Sequence, residues 1–564
     1  MKNIIGIDLG TTNSSVAYYD KNEIIIIPNC RGNRITPSAV AIDSNGEIHV
    51  GESAKNQALV NCDATVLNVK RFMGTNHIFD IYGKGYSPQE ISSYILKSLK
   101  NDCESYLGET VSDAVITVPA YFTEKQRKDT IESGRLAGLN VIKIINEPTA
   151  SALIFADKKK EDRTLLVYDL GGGTFDVSLL KKEGPRFIVI ASNGESALGG
   201  IDIDELLYQK VSSYFSAKAG IKIDGDKILI QHLRNRVEQA KIELSTRESS
   251  QISIPFISAG NKAVHLSYTI TRSELNTIIL PLINKTMNLL NKTLLESGIS
   301  CKNIDNLVLS GGSSRIPLIK ETLNRRFGFS LEKQVNPEES VALGAAFQGY
   351  LISKGDKAIE ICDVTSHSLG VEIDDGSFIP IIRKNSSLPS IHFKTFTTVT
   401  DNQRSVEIKI LEGENYNASQ NSPYGRFLLS GIRNGKKGDP RIKVAFKVDH
   451  DGLLHVKAKD LDTGVRQNII FTSSFLDSGS RSIEEERLIL EKRVHSLINR
   501  VNGLNKITPF SYDTDFQFEI REVLFMAGNA LKEKNYEDLW EAKISLESIV
   551  AELNAILDGE GKAV

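Results

Sequence analysis

Two short segments of similar composition could bind a phosphate-bearing ligand, and each follows an apolar, strand-like run. They read Asp8-Leu-Gly-Thr-Thr-Asn13 and Asp169-Leu-Gly-Gly-Gly-Thr174. Glycine lets backbone N–H groups approach phosphate oxygens, and the threonine hydroxyls add further donors. The two aspartates can hold a hydrated Mg²⁺, which keeps several waters and bridges phosphates. One such turn is weak evidence, but the repetition predicts a duplicated fold that closes on one nucleotide from both sides.

A third glycine-rich segment, Leu309-Ser-Gly-Gly-Ser-Ser-Arg-Ile-Pro317, also follows a strand-like run. The motifs of several competing site classes are missing from the sequence. It contains no Walker A motif, no GxGxxG after a strand, no GxSxG elbow and no HExxH. The sequence therefore does not favour a P-loop, a Rossmann-type, an α/β-hydrolase or a zinc-protease site.

The elements that must position these residues alternate between strand and helix up to residue 353. Short apolar runs followed by turn residues predict buried strands, and apolar residues at helical spacing predict helices between them. This alternation indicates an α/β fold with largely parallel central strands. The predicted strands include 3–9, 113–118, 164–170 and 306–310, and the predicted helices include 124–137 and 228–244.

The pattern changes after a linker at 354–363. From 364 to 475 apolar and polar residues alternate, as at Ile442, Val444 and Phe446, and tight turns such as the one at Gly452 separate the runs. Such alternation is typical of antiparallel sheets with one buried face, so 364–475 is predicted to form an all-β sandwich.

The last segment, 482–558, is predicted to be a small helical unit. Ser482-Ile-Glu-Glu485 reads as a capping box, and an apolar stripe follows it at helical spacing. The pattern breaks at 502–515 and then predicts two further helices, at 516–534 and 536–557.

The bulk composition is that of an ordinary globular protein, with 40% hydrophobic residues and a net charge of −3. This average argues against nucleic acid or an acidic membrane as the main partner, although a local patch can hide inside an average. No apolar run approaches the length of a membrane span, and Asp8 interrupts the first one too early for a signal peptide. Five scattered cysteines without a CxxC pair favour a reducing cytoplasm.

Ordered motifs along the chain resemble those of the seventy-kilodalton heat-shock chaperone family, the DnaK-type proteins. The resemblance implies an actin-like ATPase domain at 1–353, a substrate-binding sandwich at 364–475 and a shortened helical lid at 482–558. The motifs that carry it are Gly6-Ile-Asp-Leu-Gly-Thr-Thr-Asn-Ser14, Val69-Lys-Arg-Phe-Met-Gly74, Ile116-Thr-Val-Pro-Ala-Tyr-Phe122, Ile145-Asn-Glu-Pro-Thr-Ala150, Leu198-Gly-Gly200, Leu411-Glu-Gly-Glu414, Asp451-Gly-Leu-Leu-His-Val456 and the three glycine-rich segments.

The same resemblance implies a site for ATP or ADP with Mg²⁺. Asp8 and Asp169 would hold the Mg²⁺ through water. Phosphoryl transfer needs positioning and charge neutralisation more than covalent chemistry, and the implied lysine, carboxylates and glycine N–H groups can supply both. The implied catalytic residues are Lys70, Glu147, Asp176, Asp8 and Thr174. The implied phosphate-binding residues are Thr11, Thr12, Asn13, Gly171, Gly172, Gly173, Thr174, Gly199 and Gly200.

The implied adenosine pocket departs from the family pattern at two positions. Ser196 stands where the family usually has Thr and keeps the hydroxyl, whereas Glu338 replaces the usual Asp of the ribose contact. Pro119 and Arg127 match positions that relay the nucleotide state toward the linker; a strand-end proline and a surface arginine are the alternative interpretations. The other pocket residues are Glu238, Lys241, Ser245, Gly311, Gly312, Ser313 and Arg315.

The family's peptide cleft is matched by apolar residues, some of which could equally form the core of the sandwich. An extended peptide would lie between them, with backbone hydrogen bonds and pockets for alternate side chains. Asp374 and Val399 stand near positions that arch over the peptide, and the first is usually apolar, so a changed client range is expected. The matched cleft residues are Val371, Ile373, Phe396, Val406, Ile408 and Ile442.

Two further departures concern partners. Glu360 interrupts the linker Ala358-Ile-Glu-Ile-Cys-Asp363, where general members carry leucines, and is expected to weaken apolar docking between the domains. Lys143 replaces a common Arg, so docking of the expected J-domain cochaperone is expected to be altered. Nucleotide exchange partners are undetermined. The compact 482–558 region is similar to the HscC-type branch of the family.

The expected function is an ATP-dependent molecular chaperone. ATP binding would open the peptide site, and hydrolysis would close it on an extended, apolar-rich segment of an unfolded client. A sugar kinase with the same duplicated ATPase fold and a filament-forming actin-like ATPase remain as alternatives. A sugar kinase would need a sugar pocket with a catalytic aspartate between the halves and would not need the β-rich region.

Overall fold

The computed structural model describes most of the chain. The described residues are 3–20, 23–154, 162–219, 223, 225–259, 262–328, 336–354, 359–449, 452–470, 483–507, 514–533, and the single positions 539, 542, 543, 546, 549, 550 and 553.

Strands outnumber helices in the described part of the chain, and up to residue 354 the helices lie between the strands. In chain order the strands are β1 (Ile4–Asp8), β2 (Asn13–Asp20), β3 (Glu23–Ile26), β4 (Thr36–Pro37), β5 (Ala39–Ile42), β6 (Ile48–Val50), β7 (Thr65–Leu67), β8 (Phe79–Ile81), β9 (Lys84–Tyr86), β10 (Asp113–Val118), β11 (Asn140–Asn146), β12 (Arg163–Leu170), β13 (Phe175–Glu183), β14 (Arg186–Glu195), β15 (Ser249–Ala259), β16 (Lys262–Thr271), β17 (Asn306–Ser310), β18 (Glu360–Cys362), β19 (Leu369–Glu372), β20 (Phe378–Ile382), β21 (Ser390–Phe396), β22 (Ser405–Glu412), β23 (Ser422–Ser430), β24 (Ile442–Val448), β25 (Leu454–Asp460) and β26 (Arg466–Ile470). The helices are α1 (Glu52–Gln57), α2 (Pro88–Leu107), α3 (Glu124–Leu136), α4 (Glu147–Leu153), α5 (Gly200–Ala219), α6 (Lys227–Glu243), α7 (Arg272–Ser297), α8 (Pro317–Phe327), α9 (Ser340–Lys354), α10 (Ile483–Ile507) and α11 (Thr514–Glu533).

Two sheets share one local arrangement. In the first, β1 pairs antiparallel with β2 and parallel with β10, which in turn pairs parallel with β11. In the second, β12 pairs antiparallel with β13 and parallel with β17. The central strands are apolar runs that are buried on both faces, which suits parallel strands covered by helices. β1, β10, β12 and β17 lie where the sequence predicts buried strands.

Helices α4 and α9 pack between these two sheets. One apolar core contains Ile4 and Val115 of the first sheet, Val167 of the second, and alanines of both helices. The packing is close because small residues line it: a Cβ on Gly344 would lie 1.8 Å from the Ala150 carbonyl oxygen. The small side chains of α4 and α9 therefore let the two sheets approach each other.

The region after the linker contains two four-stranded sheets, ordered β20-β19-β22-β23 and β21-β24-β25-β26. Their buried side chains, including Phe427 and Phe446, form one shared apolar core. Burial alternates along β24, as expected for strands with one face on a core. The chain is therefore a mixed α/β protein, as the sequence predicts.

The linker joins the second sheet as an edge strand. β18 pairs parallel with β14, so that Glu360 lies opposite Arg186 and Ile361 opposite Phe187. Glu360 Oε2 accepts a hydrogen bond from Arg186 Nε at 2.6 Å, and Ile361 packs on the core between the sheets. The glutamate thus points away from the apolar contact, and Arg186 is its partner. Residues 355–358 lie outside the described residues.

The C-terminal helices enclose a separate apolar core. Val494, Leu497 and Val501 of the predicted stripe are buried against residues such as Ile520 of α11. Ser482 of the predicted capping box and most of 534–558 lie outside the described residues. None of the helices in the described part of the chain is long and apolar enough to span a membrane.

Replacing Gly344 by alanine should destabilise the protein, because the new methyl group would collide with the Ala150 carbonyl across two packed backbones. We expect a loss of about 3 kcal/mol in the free energy of unfolding, measured by denaturant titration. Gly503→Ala in α10 is the matched control, since a Cβ there meets nothing within 4 Å, and alanine favours helix by up to about 1 kcal/mol. Equal effects of the two substitutions would contradict the close packing of α4 on α9.

Candidate functional site

Carboxylates from both sheets meet where β1 and β12 end. Asp8 is the last residue of β1, Asp169 lies near the end of β12, and Asp176 follows at the start of β13. Burial raises the pKa of Asp8 and of Asp176 to about 7, and it raises the pKa of Asp169 well above its usual value. The Glu147 carboxylate is the second cause in each case. The four carboxylates therefore share one site in which burial and mutual repulsion disfavour their charged forms.

A buried ion pair sits inside this carboxylate cluster. Lys70 Nζ donates to Glu147 Oε1 at 2.5 Å, and both side chains are more than 90% buried. Glu147 is placed by the start of α4, where Pro148 follows it in the first turn, a position that proline tolerates. The Lys70 ammonium also lies 5.5 Å from the centroid of the Phe122 ring. The pair holds the lysine in one position within the site.

The charge balance of the cluster fits a divalent cation. Among its described side chains, the buried carboxylates of Asp169, Asp176 and Glu147 and the half-buried carboxylate of Asp8 face the single ammonium of Lys70. Buried like charges repel each other unless protons or cations neutralise them. Oxygen-rich sites of this kind are what Mg²⁺ prefers, with water in part of its coordination shell. The residues present therefore fit a magnesium-bound phosphate group.

The two predicted glycine corners face each other. A Cβ on Gly172 would lie 1.9 Å from Thr12 Oγ1, and one on Gly173 would lie 2.6 Å from Thr11 Cγ2. Glycine is therefore required at both positions. Thr12 Oγ1 is buried and has no described hydrogen-bond partner. A buried hydroxyl without a partner is costly, and a phosphate oxygen would satisfy it. Thr174 is also buried at this corner, whereas Asn13 is exposed at the start of β2.

The segment at Gly199 and Gly200 is joined to the second corner by backbone hydrogen bonds. Gly200 N–H donates to the Gly171 carbonyl at 3.0 Å, and Ser313 Oγ donates to the same oxygen at 2.9 Å. Gly311 has a φ of 76°, and a Cβ there would lie 2.3 Å from the Leu170 carbonyl oxygen. The three predicted glycine segments are thus brought together.

Arg71 and Asp202 take part in this arrangement, although the sequence did not single them out. Arg71 Nη2 donates to Asp202 Oδ2 at 2.5 Å and to the Gly173 carbonyl at 3.1 Å. Asp202 in turn accepts from the Gly199 N–H at 2.7 Å. The ion pair joins residues 131 positions apart, so no local sequence pattern could predict it. The available signal was that Arg71 lies beside Lys70 in the motif Val69-Lys-Arg-Phe-Met-Gly74.

The predicted adenosine-binding residues lie around the same segments. Lys241 Nζ donates to the Gly200 carbonyl at 3.1 Å and to Asp204 Oδ2 at 2.7 Å. Arg315 pairs with Glu338 at 3.2 Å, and Glu338 lies beside Gly312. Lys241 therefore joins α6 to α5, and the Arg315–Glu338 pair lies at the third glycine segment.

Three other predicted pocket residues lie at the margins of this region. Glu238 pairs with Lys55 at 2.8 Å and so connects α6 to α1. Ser245 lies just after the end of α6, and Ser196 is exposed in the turn after β14.

The predicted relay residue Arg127 is buried next to the linker. It donates to the Ala120 carbonyl at 3.2 Å and to Asn146 Oδ1 at 2.6 Å. Asn146 also donates to Asp363 Oδ2 at 2.8 Å, and Thr149 donates to the same oxygen at 3.2 Å. Pro119 directly follows β10, and its carbonyl oxygen accepts a hydrogen bond from the Phe122 N–H. The linker aspartate is therefore bonded to the segments that carry the carboxylate site.

Tyr121 connects that site to the β-rich region, and sequence reasoning did not identify it. Its N–H donates to Asp176 Oδ1 at 3.1 Å, and its ring centroid lies 4.1 Å from that of His367. Lys384 Nζ lies 5.2 Å from the same ring, and Ser366 Oγ donates to the neighbouring Ala120 carbonyl at 2.6 Å. Tyr121 therefore contacts both the carboxylate site, at Asp176, and the β-rich region, at His367.

Near one end of the β-rich region lies a cavity of about 550 Å³. Ile373, Asp374, Phe396 and Val399 line it, together with Arg441. Of the other predicted cleft residues, Val371, Ile408 and Ile442 are buried in the core that the two sheets share, and Val406 packs against that core.

One family model, described as Hsp70 protein, matches residues 4–80 and 75–564 of the chain. The match thus covers nearly the entire sequence, including every residue of the carboxylate cluster.

Contact between α3 and the β-rich region should weaken as the pH rises, because Glu124 is buried there. Its carboxylate accepts from Leu454 N–H at 3.4 Å, and burial raises its pKa to about 8, against the opposing effect of Lys128. Separation would return the pKa to about 4.5. The contact is therefore favoured below this lower pKa and is lost as the pH rises through the higher one.

Small-angle scattering at pH 6.5 and 8.5 measures this effect. We expect the fraction of compact molecules to fall, with the docking equilibrium weakened about tenfold. Other charged groups face the same contact, namely Arg127, Asp363, Glu412 and His367, and burial also raises the pKa of Asp363. A variant at Glu124 is therefore needed to assign the effect to that carboxyl group. Glu124→Gln should remove the pH dependence; an unchanged pH response in that variant would contradict the assignment.

Proposed function

Because the chain belongs to the Hsp70 family, whose members are chaperone ATPases, we propose that it hydrolyses ATP to control its affinity for extended client polypeptides. The observation that carries the proposal is the Lys70–Glu147 pair, buried at 2.5 Å among three aspartates between two glycine corners. A structural ion pair alone would not require further unneutralised carboxylates beside it. The Mg²⁺ of a magnesium nucleotide would supply positive charge beside these carboxylates, and a phosphate oxygen would accept from the free threonine hydroxyl.

Each group of residues around the nucleotide would then have a separate role in binding or hydrolysis. Asp8 and Asp169 would hold Mg²⁺ through water, and the bound ion would neutralise charge on the phosphates. Glycine N–H groups and the Thr12 hydroxyl would donate to phosphate oxygens. The ammonium of Lys70, fixed by Glu147, would hold the attacking water and balance negative charge that develops on the transferred phosphoryl group. Fixed donors of this kind lower the barrier because they need no reorganisation.

Client binding is proposed for the cavity at Ile373, Phe396 and Val399. An extended peptide can place alternate side chains in such a cavity while its backbone bonds to neighbouring strands. Asp374 on the rim is the charged residue where an arch residue is usually apolar, so the client range should differ from that of general members. These clients would be unfolded or extended polypeptides.

Coupling between the two sites is proposed to run through Tyr121, Arg127 and Asp363. A ligand shifts a two-state equilibrium only by binding one state better than the other. Contacts such as Tyr121–Asp176 and Tyr121–His367 can form together only when the β-rich region is docked. Nucleotide at the carboxylate site would therefore favour one docking state, and clients would by linkage alter nucleotide affinity.

The finer assignments are part of the same proposal. They comprise an actin-like nucleotide-binding domain at 1–353, a linker at 354–363, a substrate-binding sandwich at 364–475 and a lid at 482–558. A J-domain cochaperone, a cytoplasmic location and membership of the HscC-type branch are proposed with them. The sugar-kinase and filament alternatives gain no support, because neither explains the two-sheet β-rich region with a cavity of its own.

Lys70→Ala should retain nucleotide binding but lower the turnover of ATP roughly 100-fold, since a fixed donor to the reacting phosphate is removed. Single-turnover hydrolysis and calorimetric binding separate the two effects. Lys181→Ala is the matched control, because Lys181 is about half exposed and pairs with Glu183 at 3.6 Å outside the cluster. Turnover that is equal in the two variants would show that Lys70 has no part in hydrolysis.

Val399→Trp should fill the mouth of the cavity and weaken peptide binding about tenfold, with basal ATP hydrolysis unchanged. Fluorescence anisotropy of a labelled apolar peptide in the presence of ADP measures the affinity. Val465→Trp serves as control, since Val465 is similarly exposed but does not line the cavity. Full peptide affinity in Val399→Trp would place the client site elsewhere.

A further inference from the structure

One outward face of the β-rich region is strongly basic. Along β24 and β25 the inward side chains are buried apolar residues, and the outward ones include four lysines. Lys447 and Lys457 are exposed, and Lys443 and Lys459 are half-buried. Here this surface is called the lysine face. It contrasts with the net charge of −3 for the whole chain.

The strand register places these positive charges beside one another. Lys443 lies directly opposite Lys459, and Lys447 lies opposite His455. Lys457 sits between them, opposite Ala445. Like charges directly opposite each other on neighbouring strands destabilise a sheet. The arrangement therefore costs folding stability and is not explained by the sandwich itself.

Within the described part of the chain, no carboxylate forms an ion pair with these four lysines. Asp449 lies beside the face, and it pairs with His455 at 3.0 Å. At the end of the same sheet Arg441 is paired with Asp462 at 2.7 Å, so cations in this region do acquire partners where acids are available. The lysine face is thus left with unneutralised positive charge directed toward solvent.

Two exposed apolar side chains border the lysine face on the edge strand β21. Ile391 is 66% exposed and Phe393 is 59% exposed. The register sets Ile391 opposite Lys447 and Phe393 opposite Ala445, so both point to the same side as the lysines. Lys443 Nζ lies 3.8 Å from the centroid of the Phe393 ring. Positive charge and exposed apolar surface therefore form one continuous patch.

We propose that the lysine face, with Ile391 and Phe393, binds the surface of an anionic lipid bilayer. Lysines attract anionic headgroups collectively, and adjoining apolar side chains enter the boundary between headgroups and acyl chains. Stable attachment generally needs two such signals, and this patch supplies both. The inference is independent of ATP hydrolysis and of the peptide cavity.

The same features do not suit the other anionic partners equally well. Single-stranded nucleic acid is held by aromatic platforms on which bases stack. Here the Phe393 ring is already in contact with the Lys443 ammonium, and the His455 ring is paired with Asp449. An acidic peptide is usually recognised in a groove or by paired arginine forks, and this face is a sheet surface that presents lysine point charges. Both partners are outcomes of the test below.

Sedimentation of the full-length protein with lipid vesicles tests the proposal. Vesicles of phosphatidylcholine with one third phosphatidylglycerol should bind the protein at about 50 mM salt and release it at about 500 mM, because screening lengths shorten with ionic strength. Vesicles of phosphatidylcholine alone should not bind it. Equal binding to both vesicle types would overturn the proposal.

Paired charge reversals locate the binding surface. Lys447→Glu with Lys457→Glu should lower vesicle binding at least tenfold, while Lys97→Glu with Lys302→Glu makes the same charge change at exposed lysines elsewhere and should not. Phe393→Ser should lower binding severalfold without changing its salt dependence, which purely electrostatic adsorption would not show. Unchanged ATP hydrolysis and circular dichroism confirm that the variants fold.

Direct binding of two soluble polyanions distinguishes the partner classes. Fluorescence anisotropy measures the affinity of the protein for labelled poly-glutamate and for a labelled single-stranded oligonucleotide. Weak, salt-sensitive binding of both is expected. Tight binding of either one, abolished by the Lys447 and Lys457 substitutions while vesicles fail to bind, would reassign the face to that class and refute the membrane assignment.

Discussion

The rest of the structure depends on an excess of buried negative charge at the point where two sheets meet. Asp8, Asp169 and Asp176 lie there with Glu147, and Lys70 supplies the one positive charge among the described side chains of the cluster. Such a site can exist only because strong packing around it offsets the repulsion. Helices α4 and α9 provide that packing, since their small side chains allow the two sheets to approach closely. A bound Mg²⁺ would offset the repulsion between the carboxylates, and a phosphate oxygen would accept a hydrogen bond from the free hydroxyl of Thr12.

The same charged site has a direct physical connection to the β-rich region. Tyr121 bonds to Asp176 through its backbone and packs its ring on His367, while Arg127 and Asp363 are both bonded to Asn146. Buried polar groups of this kind must keep their partners, because an unpaired one is costly. The network therefore has few arrangements in which all members are satisfied. This property suits a switch between docked and released states better than a continuous deformation.

Sequence patterns were sufficient for those parts of the site whose chemistry is local. The two aspartate–glycine corners, the buried strands that carry them and the change to alternating strands after residue 354 are all visible as short-range patterns. What the patterns could not show depends on pairing between distant segments. The Arg71–Asp202 ion pair and the Tyr121–His367 contact each join residues more than 100 positions apart. The partner of Glu360 is likewise set by the parallel register of the linker strand.

The central claim is that the carboxylate cluster and the glycine corners form a magnesium-nucleotide site, and isothermal titration calorimetry tests it most directly. Titration of ADP and of ATP in magnesium buffer should give saturable heat with one site per chain. Omission of Mg²⁺, or the substitution Asp169→Asn, should weaken binding strongly. Absence of heat with either nucleotide, or binding that is indifferent to both Mg²⁺ and Asp169, would contradict the account.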